Sequence, residues 1–509
     1  MFQANYGKTS SVWMAESDVP RYESLSEDLE TDVCIVGAGI AGLSTAYQLL
    51  QEGVSVVVLE AGLIVRGETS RTTAHLSNVL DDRYYELERL FGREGAALAR
   101  ESHAAAIDTI EQTAAREGIE CDFVRLDGYL FVSPDQPLDE LDRELNAALR
   151  AGLNCGWVDN APLPGFKTGP CLRFPGQAQF DPLAYLGGLA GAVTRGRGRI
   201  FTRTRVANVT GGTRPHVRTL QGNTVRAKAV VVATNTPIHD NLTIHSRQGP
   251  YRTYVIGARI PWDAVPRALY WDTQDPYHYV RLRSARTPGQ AGGGDVLIAG
   301  GEDHKQGEAD DGEQRFRWLE EWTRKRFPIE EILYRWSGMV CEPADSLALI
   351  GRDNVEQNVY IVTGDSGHGM THGAIAGILL SDLIRGRKNS WASIYDPCRI
   401  TARAASEYLS ENAGVVSELL EWFTPGELPS EDNIAPGHGA VVRRGLGKVA
   451  VYRDVHGQFH ERSAACPHLG CIVSWNSTES SWDCPCHGSR FDTEGKVLRG
   501  PATRDLEAP

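Results

Sequence analysis

The sequence predicts an α/β fold in which a mostly parallel sheet is interrupted by an α+β region and followed by a small separate domain. Three observations carry that reading. Residues 31–60 run as a buried strand, the loop GAGIAG, an amphipathic helix and a second strand. A strand, glycine turn and helix of the same plan recur at NVYIVTGDSGHGMTHGAIAGILLSDLIRG, from Asn358 to Gly386. Four of the 10 cysteines then crowd between Cys466 and Cys486, beyond a stretch rich in Pro and Gly.

In chain order, Asp32 to Val36 reads as a strand, the helix extends to about Glu52, and Val54 to Leu59 returns as the next strand. Helical patterning follows from about Arg83 to Arg116 and from Leu138 to Ala151. Strand-like stretches occur at Gly128 to Val132, Val225 to Ala233, Tyr251 to Ile260, Tyr277 to Arg283 and Asp295 to Ala299, joined by loops rich in Gly and Pro. A helix is expected from Ala402 to Phe423, and TPGELPSEDNIAPGHG reads as a linker. The chain thus divides into 1–400, 401–435 and 436–509.

Across 509 residues, 52 Lys+Arg stand against 66 Asp+Glu, so 52 − 66 = −14. Residues 436–509 hold 9 basic and 8 acidic side chains, which leaves −15 on the first part. Such a chain lacks the basic field that nucleic acid or an anionic membrane selects for. No stretch approaches the roughly 18 apolar residues of a membrane span, because Glu60 and Asp382 break the two longest candidates. The opening MFQANYGKTSSVWMAESDVP has no basic patch followed by an apolar core, so a cytoplasmic location is expected. Cys34, Cys121, Cys155, Cys171, Cys341 and Cys398 are scattered and read as inert thiols.

Gly37, Gly39 and Gly42 form G-x-G-x-x-G between a strand and a helix, and Glu60 ends the next strand 23 residues after Gly37. The chemistry explains the spacing. Gly37 allows a tight turn, Gly39 lets the backbone approach a pyrophosphate at the helix N-terminus, Gly42 permits close packing, and Glu60 accepts from ribose hydroxyls. The alternative is a glycine-rich turn with no ligand. No second fingerprint follows a strand, which argues for FAD bound across a discontinuous domain rather than an NAD(P)H-fed reductase.

TDVCIVGAGIAGLSTAYQLLQEGVSVVVLEAG, SRTTAH (70–75), VVVATN (230–235), PADSLALIGR (343–352) and GDSGHGM (364–370) resemble the D-amino acid oxidase-like superfamily of FAD-dependent oxidoreductases. The resemblance implies a Rossmann-like FAD-binding domain with an interleaved α+β substrate domain. It places Gly37, Gly39, Ile40, Ala41, Gly42, Glu60 and Ala61 on the cofactor, with Arg71, Thr72, Thr73, Ala74 and His75 passing along it. It sets Val206 by the adenine, adds Ala233 and Thr234, and has Gly364, Asp365, Gly367, His368, Gly369 and Met370 present helix N-terminal amides to the flavin pyrimidine. Some relatives tether FAD through a histidine where this chain has Arg71, so non-covalent FAD is expected.

CPHLGC (466–471) and CPCHGS (484–489) supply Cys466-x-His468 and, after 15 intervening residues, Cys484-x-x-His487. Two thiolates and two imidazoles could hold zinc, but zinc fingers pair C-x₂₋₄-C with H-x₃₋₅-H, whereas each loop here gives one Cys and one His. The loops resemble a small all-β Rieske [2Fe-2S] domain. That resemblance implies a disulfide between Cys471 and Cys486. It also marks a departure at Phe491, where the respiratory type usually has a tyrosine bonded to a ligand sulfur; loss of that donor implies a lower potential.

Asp365, His368 and His372 spell D-x₂-H-x₃-H, near the mononuclear iron site of Rieske oxygenases. The triad precedes the cluster domain and sits inside a flavin-binding segment, which opposes an iron reading. On the substrate side, Tyr277, Tyr279 and Arg281 share one strand face, and GGEDHK (300–305) ends another strand. Tyr279 and His304 are the catalytic candidates. The expected function is a dehydrogenase acting on a small molecule, an amine or amino acid by resemblance, with electrons passing from FAD to the cluster and on to a one-electron acceptor protein or quinone. Reverse flow through a cluster-fed flavin reductase and a non-catalytic electron-transfer or redox-sensing role are the alternatives.

Overall fold

The computed structural model describes residues 7–16, 19–133, 136–238, 242–283, 293–401, 404, 408 and 421–509. Its centre is a six-stranded sheet in the order 349–352, 359–363, 229–235, 33–36, 56–59, 199–201. All neighbours are parallel except 349–352 against 359–363. Alternation along the strand Val33–Val36 explains the layering: Val33 and Ile35 join the core beneath the helices, while Cys34 and Val36 join a second core under the small sheet of strands 206–210, 216–219 and 224–226. Both faces are covered, as a parallel sheet requires.

The helix Ile40–Gln51 packs against Gly369–Ile384, the helix of the second strand, turn and helix unit. Gly373 and Gly377 permit this, since a Cβ there would lie 2.6 Å from Ile40 Cγ2 and 2.9 Å from the Ser44 carbonyl carbon. The expected helix from Arg83 to Arg116 is Tyr84–Glu117, broken at Gly92 and closed by Gly118 in the left-handed conformation. The helix Asp139–Arg150 carries three acids in its first turn and Arg150 in its last, which suits the helix dipole. A helix at Pro182–Arg195 was not expected. Asp181 caps it, accepting from the Leu183 and Ala184 amides at 3.0 Å.

A nine-stranded mixed sheet forms the α+β part, in the order 331–343, 248–260, 295–305, 278–283, 269–272, 124–131, 171–179, 75–76, with 156–158 beside 171–179. The C-terminal part is all β, with a three-stranded sheet (438–444, 447–453, 459–463) and a four-stranded sheet (474–476, 481–483, 490–491, 497–499). The helix expected over 402–423 lies for the most part outside the described residues; 421–423 form one turn of 3₁₀ helix. The segment read as linker is packed: Leu428 bridges to Val442, and Ile434 is buried in the C-terminal core. Among the described residues, no helix is long and apolar enough to cross a membrane.

Candidate functional site

Both glycine turns open onto one cleft. At Gly37 (φ 106°) a Cβ would lie 2.4 Å from the Ala233 carbonyl oxygen, and at Gly42 it would lie 1.9 Å from the Gly37 oxygen, so neither position admits a side chain. Gly39, Ile40 and Ala41 put one helix N-terminus on the cleft, and Gly369 and Met370 put a second there. Two N-termini facing one cavity favour an anionic ligand. Glu60 closes the turn, its carboxylate accepting from the Ala38 amide (2.9 Å) and the Gly62 amide (2.8 Å). Exposed backbone where a Cβ is forbidden, beside an acid at the strand end, fits a dinucleotide.

Of the sequence-derived cofactor residues, Gly37, Gly39, Ile40, Ala41, Glu60, Ala61, Arg71, Thr72, Thr73, His75, Val206, Ala233, Thr234, Asp365, Gly367, His368, Gly369 and Met370 line this cleft. Gly42, Ala74 and Gly364 lie behind it. The Ala74 carbonyl accepts from Arg281 Nη1 at 2.8 Å, and a Cβ on Gly364 would press on Pro343. Burial and the Arg281 charge push His75 down to about 3, so its ring is neutral. Asp365, His368 and His372 do not converge on a metal: Asp365 Oδ1 accepts from the Cys341 amide, His372 Nδ1 meets the Asp365 carbonyl, and His368 Nε2 turns to Asp81.

The cleft is lined further by Asp81, Thr253, Trp271, Tyr277, Tyr279 and Asp303. Tyr279 lines it with its hydroxyl 2.7 Å from Thr253 Oγ1. His304 is not among the lining residues. Its ring stacks on Tyr254 at 5.8 Å, within the core that includes Phe316. The neighbouring residue lines the cleft instead: the strand Asp295–Lys305 bulges between Gly301 and His304, with Glu302 at φ 59°, so Asp303 takes the cleft side and His304 the side of Tyr254, the reverse of the alternation set by Leu297 and Ala299. Unbroken alternation in the sequence would set the two residues the other way round.

The two cysteine loops are built alike. In each, a left-handed glycine four residues after the first cysteine donates its amide to that cysteine's carbonyl: Gly470 to Cys466 at 2.9 Å, and Gly488 to Cys484 at 3.1 Å. Cys466 and Cys484 are buried free thiols in hydrogen-bond contact, and the His468 and His487 rings are 5.0 Å apart, edge to face. Cys471 and Cys486 form a disulfide that ties the loops, with Cα atoms 6.5 Å apart. Among the described residues, the sulfurs of Cys471, Cys484 and Cys486 lie within 4.8 Å of one another, but the bridge leaves only Cys484 as a thiolate donor there. His487 Nδ1 is buried with no hydrogen-bond partner, an atom that a metal bond would satisfy. The donor set fits a cluster.

The cysteine loops are seated on the first part of the chain. Arg71 turns its guanidinium away from the cleft to Glu479 (2.9 Å) and the Ser337 carbonyl (2.7 Å). Arg252 and Arg490 hold Asp483 at 2.5 and 3.0 Å, and Arg499 holds Glu68 at 2.7 Å. Gln306 donates to the Cys484 carbonyl at 2.9 Å. The His245 ring packs on those of His468 (4.6 Å) and His487 (5.1 Å). Leu498, Arg499, Gly500, Ala502 and Thr503 complete the cleft wall, and Met339, another wall residue, sets its sulfur against Gly488. Of these seam residues, Arg252, His245, Gln306, Met339, Glu479 and Asp483 stand in no motif.

Residues 32–383 match the FAD dependent oxidoreductase family, and residues 426–509 match the Rieske [2Fe-2S] domain. The chain is 32% identical to YhfW of Bacillus subtilis strain 168, a protein named for a Rieske 2Fe-2S centre, over 98% of this chain and 97% of that one. It is 28% identical to the gamma-glutamylputrescine oxidoreductase of Escherichia coli K12, over 74% of this chain and 89% of the relative. The crystal structure of glycine oxidase from Geobacillus kaustophilus superposes with a TM-score of 0.61 at 18% identity, covering 73% of this chain and 99% of the other.

Proposed function

The chain belongs to the FAD dependent oxidoreductase family and carries a Rieske [2Fe-2S] domain, and from that premise we propose that it is a dehydrogenase of a C–N bond, with an amine or amino acid as electron donor and a one-electron acceptor, protein or quinone, as the outlet. When bound, FAD accepts a hydride from carbon and the cluster passes electrons singly, which converts a two-electron donor into one-electron output.

The chain's own residues supply binding and position. We assign Gly37, Gly39 and the amides of Ile40 and Ala41 to the pyrophosphate, Glu60 to the ribose, and the amides of Gly367 to Met370 to the electron-rich edge of the flavin. Cys466 and Cys484 as thiolates and His468 and His487 through imidazole nitrogen are the cluster ligands, and the Cys471–Cys486 bridge holds their loops together. Tyr279, Tyr277 and Trp271 surround the substrate and exclude water. One observation above all supports this reading: Met339 lies in the wall of the cleft and touches Gly488, the residue after His487, so the two redox sites share a buried contact.

Anaerobic titration with a panel of amines and amino acids tests it. A substrate should bleach the visible flavin absorbance and then raise the cluster's EPR signal. In His487→Ala the bleaching should survive and the signal vanish. Rapid bleaching by NADH, or a panel in which nothing bleaches the flavin, would overturn the proposal.

A further inference from the structure

The substrate end of the cleft holds one acid whose needs the protein leaves unmet. Asp303 lines the cleft, and its Oδ1 is buried with no hydrogen-bond partner. The other acid there is served: Asp81 Oδ2 accepts from the Tyr277 hydroxyl at 3.0 Å and lies 3.3 Å from His368 Nε2. Burial acts to raise the Asp81 carboxyl, but the His368 and Arg83 charges and these hydrogen bonds outweigh it and hold it below the ordinary value.

The surroundings of Asp303 suit a cation. Tyr277 and Tyr279 lie with ring centroids 5.3 Å apart, and their hydroxyls are already engaged, one by Asp81 and one by Thr253. What they offer a ligand is ring face, which attracts ammonium groups. The arginines lining the cleft are committed elsewhere: Arg71 to Glu479, Arg205 to the Val497 carbonyl at 2.9 Å, and Arg499 to Glu68. A substrate carboxylate at this end would meet two acids.

We propose that this end of the cleft is a subsite for an alkylammonium ion, in which the Asp303 carboxylate binds the substrate's amino group and takes its proton. The inference rests on the C–N dehydrogenase reading and narrows it to amines that carry no carboxylate on the reacting carbon. In the step, one N–H bond of R–CH₂–NH₃⁺ breaks, the proton bonds to Asp303 Oδ1, and the electron pair stays on nitrogen. Nothing is oxidised. The neutral amine that results has the lone pair an adjacent C–H needs in order to leave as hydride. Burial pushes the Asp303 carboxyl up to about 7, and Asp81 adds to this, against the Thr253 hydroxyl and the His278 and Arg315 charges. A base so placed can accept a proton near neutral pH.

The test uses the oxidised holoprotein and two probes with no hydrogen on the carbon bearing nitrogen, tert-butylamine and 2-methylalanine, which differ in that a carboxylate replaces one methyl group. Binding is read as a change in the flavin spectrum. The amine should perturb the spectrum and the amino acid should bind at least about tenfold more weakly. Asp303→Asn should weaken the amine about tenfold or more with FAD content and cluster EPR unchanged, and Asp303→Glu should retain it. Equal binding of the amine by Asp303→Asn, or tighter binding of 2-methylalanine, would overturn the inference. If Asp303→Asn loses FAD, the contrast between the probes in the unaltered protein decides. Bleaching of the flavin by an α-amino acid in the panel above, with no response to tert-butylamine, would sink this inference and leave the dehydrogenase reading standing.

Discussion

Glu479 and Asp483 at the seam are buried and Asp303 in the cleft is half-buried, and their charge states are pulled in opposite directions. At the seam, burial would raise both acids, but Arg71, Arg490 and Arg252 hold Glu479 far below the usual carboxylate range, and Arg490 and Arg252 hold Asp483 below its ordinary value. In the cleft, burial prevails: Asp303 rises to about 7, and Asp365, with one amide hydrogen bond from Cys341, rises to about 6. The difference is direct pairing. Guanidinium groups bonded to Glu479 and Asp483 make a fixed joint between two domains, whereas the charges of Arg315 by Asp303 and Arg499 by Asp365 do not outweigh burial and leave groups able to exchange a proton.

The largest effect that would break this comparison is removal of one seam acid. Glu479→Ala leaves Arg71, 1% exposed at its side chain, without its counter-ion. That should cost about 3–5 kcal/mol in urea unfolding. The double variant Arg71→Met with Glu479→Ala should recover much of the loss, since an apolar pair leaves no buried charge. A single variant within about 1 kcal/mol of the parent would show the seam to be a surface contact rather than a joint.

The seam also shows which parts of the molecule were legible in the sequence. The fingerprint Gly37 to Gly42 and the loops 466–471 and 484–489 do their chemistry with contiguous backbone, so the residue order alone announces them. Arg71 lies inside the cofactor segment SRTTAH, but its side chain leaves that segment for Glu479, 408 residues away. Asp303 rather than His304 lines the cleft because the strand bulges at Glu302, and residue order does not announce a bulge. Met339, Arg252 and Leu498 to Thr503 carry no motif at all, and their placement follows from how two domains dock.

A smaller effect sharpens the comparison through pH. The folded-state pKa of Glu479 is depressed, so its contribution to stability is present above about pH 4.5 and is lost as pH falls further. For Asp303 the sign reverses. Its folded-state pKa of about 7 exceeds the unfolded value near 4, so the folded state binds more protons between these limits and stability falls as pH rises through that window. The slope is at most about 1.4 kcal/mol per pH unit for one group. Asp303→Asn should therefore match the parent near pH 4 and exceed it near pH 8 in thermal unfolding. A constant difference across the range would mean that Asp303 is ionised throughout.

The smallest effect concerns the cluster itself. Phe491 is fully buried in the core that holds Cys466, Cys471, Cys484 and Cys486, so a hydroxyl added there is confined near sulfur. A donor to a ligand sulfur favours the reduced, more negative state. A hydrogen bond that favours reduction by about 1 kcal/mol corresponds to about 40 mV in a one-electron couple. Phe491→Tyr should therefore raise the cluster potential by that order in an EPR-monitored redox titration, and should leave the flavin potential where it was, because the cleft does not include residue 491. An unchanged or lowered cluster potential would mean that the hydroxyl turns away from the sulfurs, and that the potential is set by the seam's buried charges rather than by donors inside the cluster's own core.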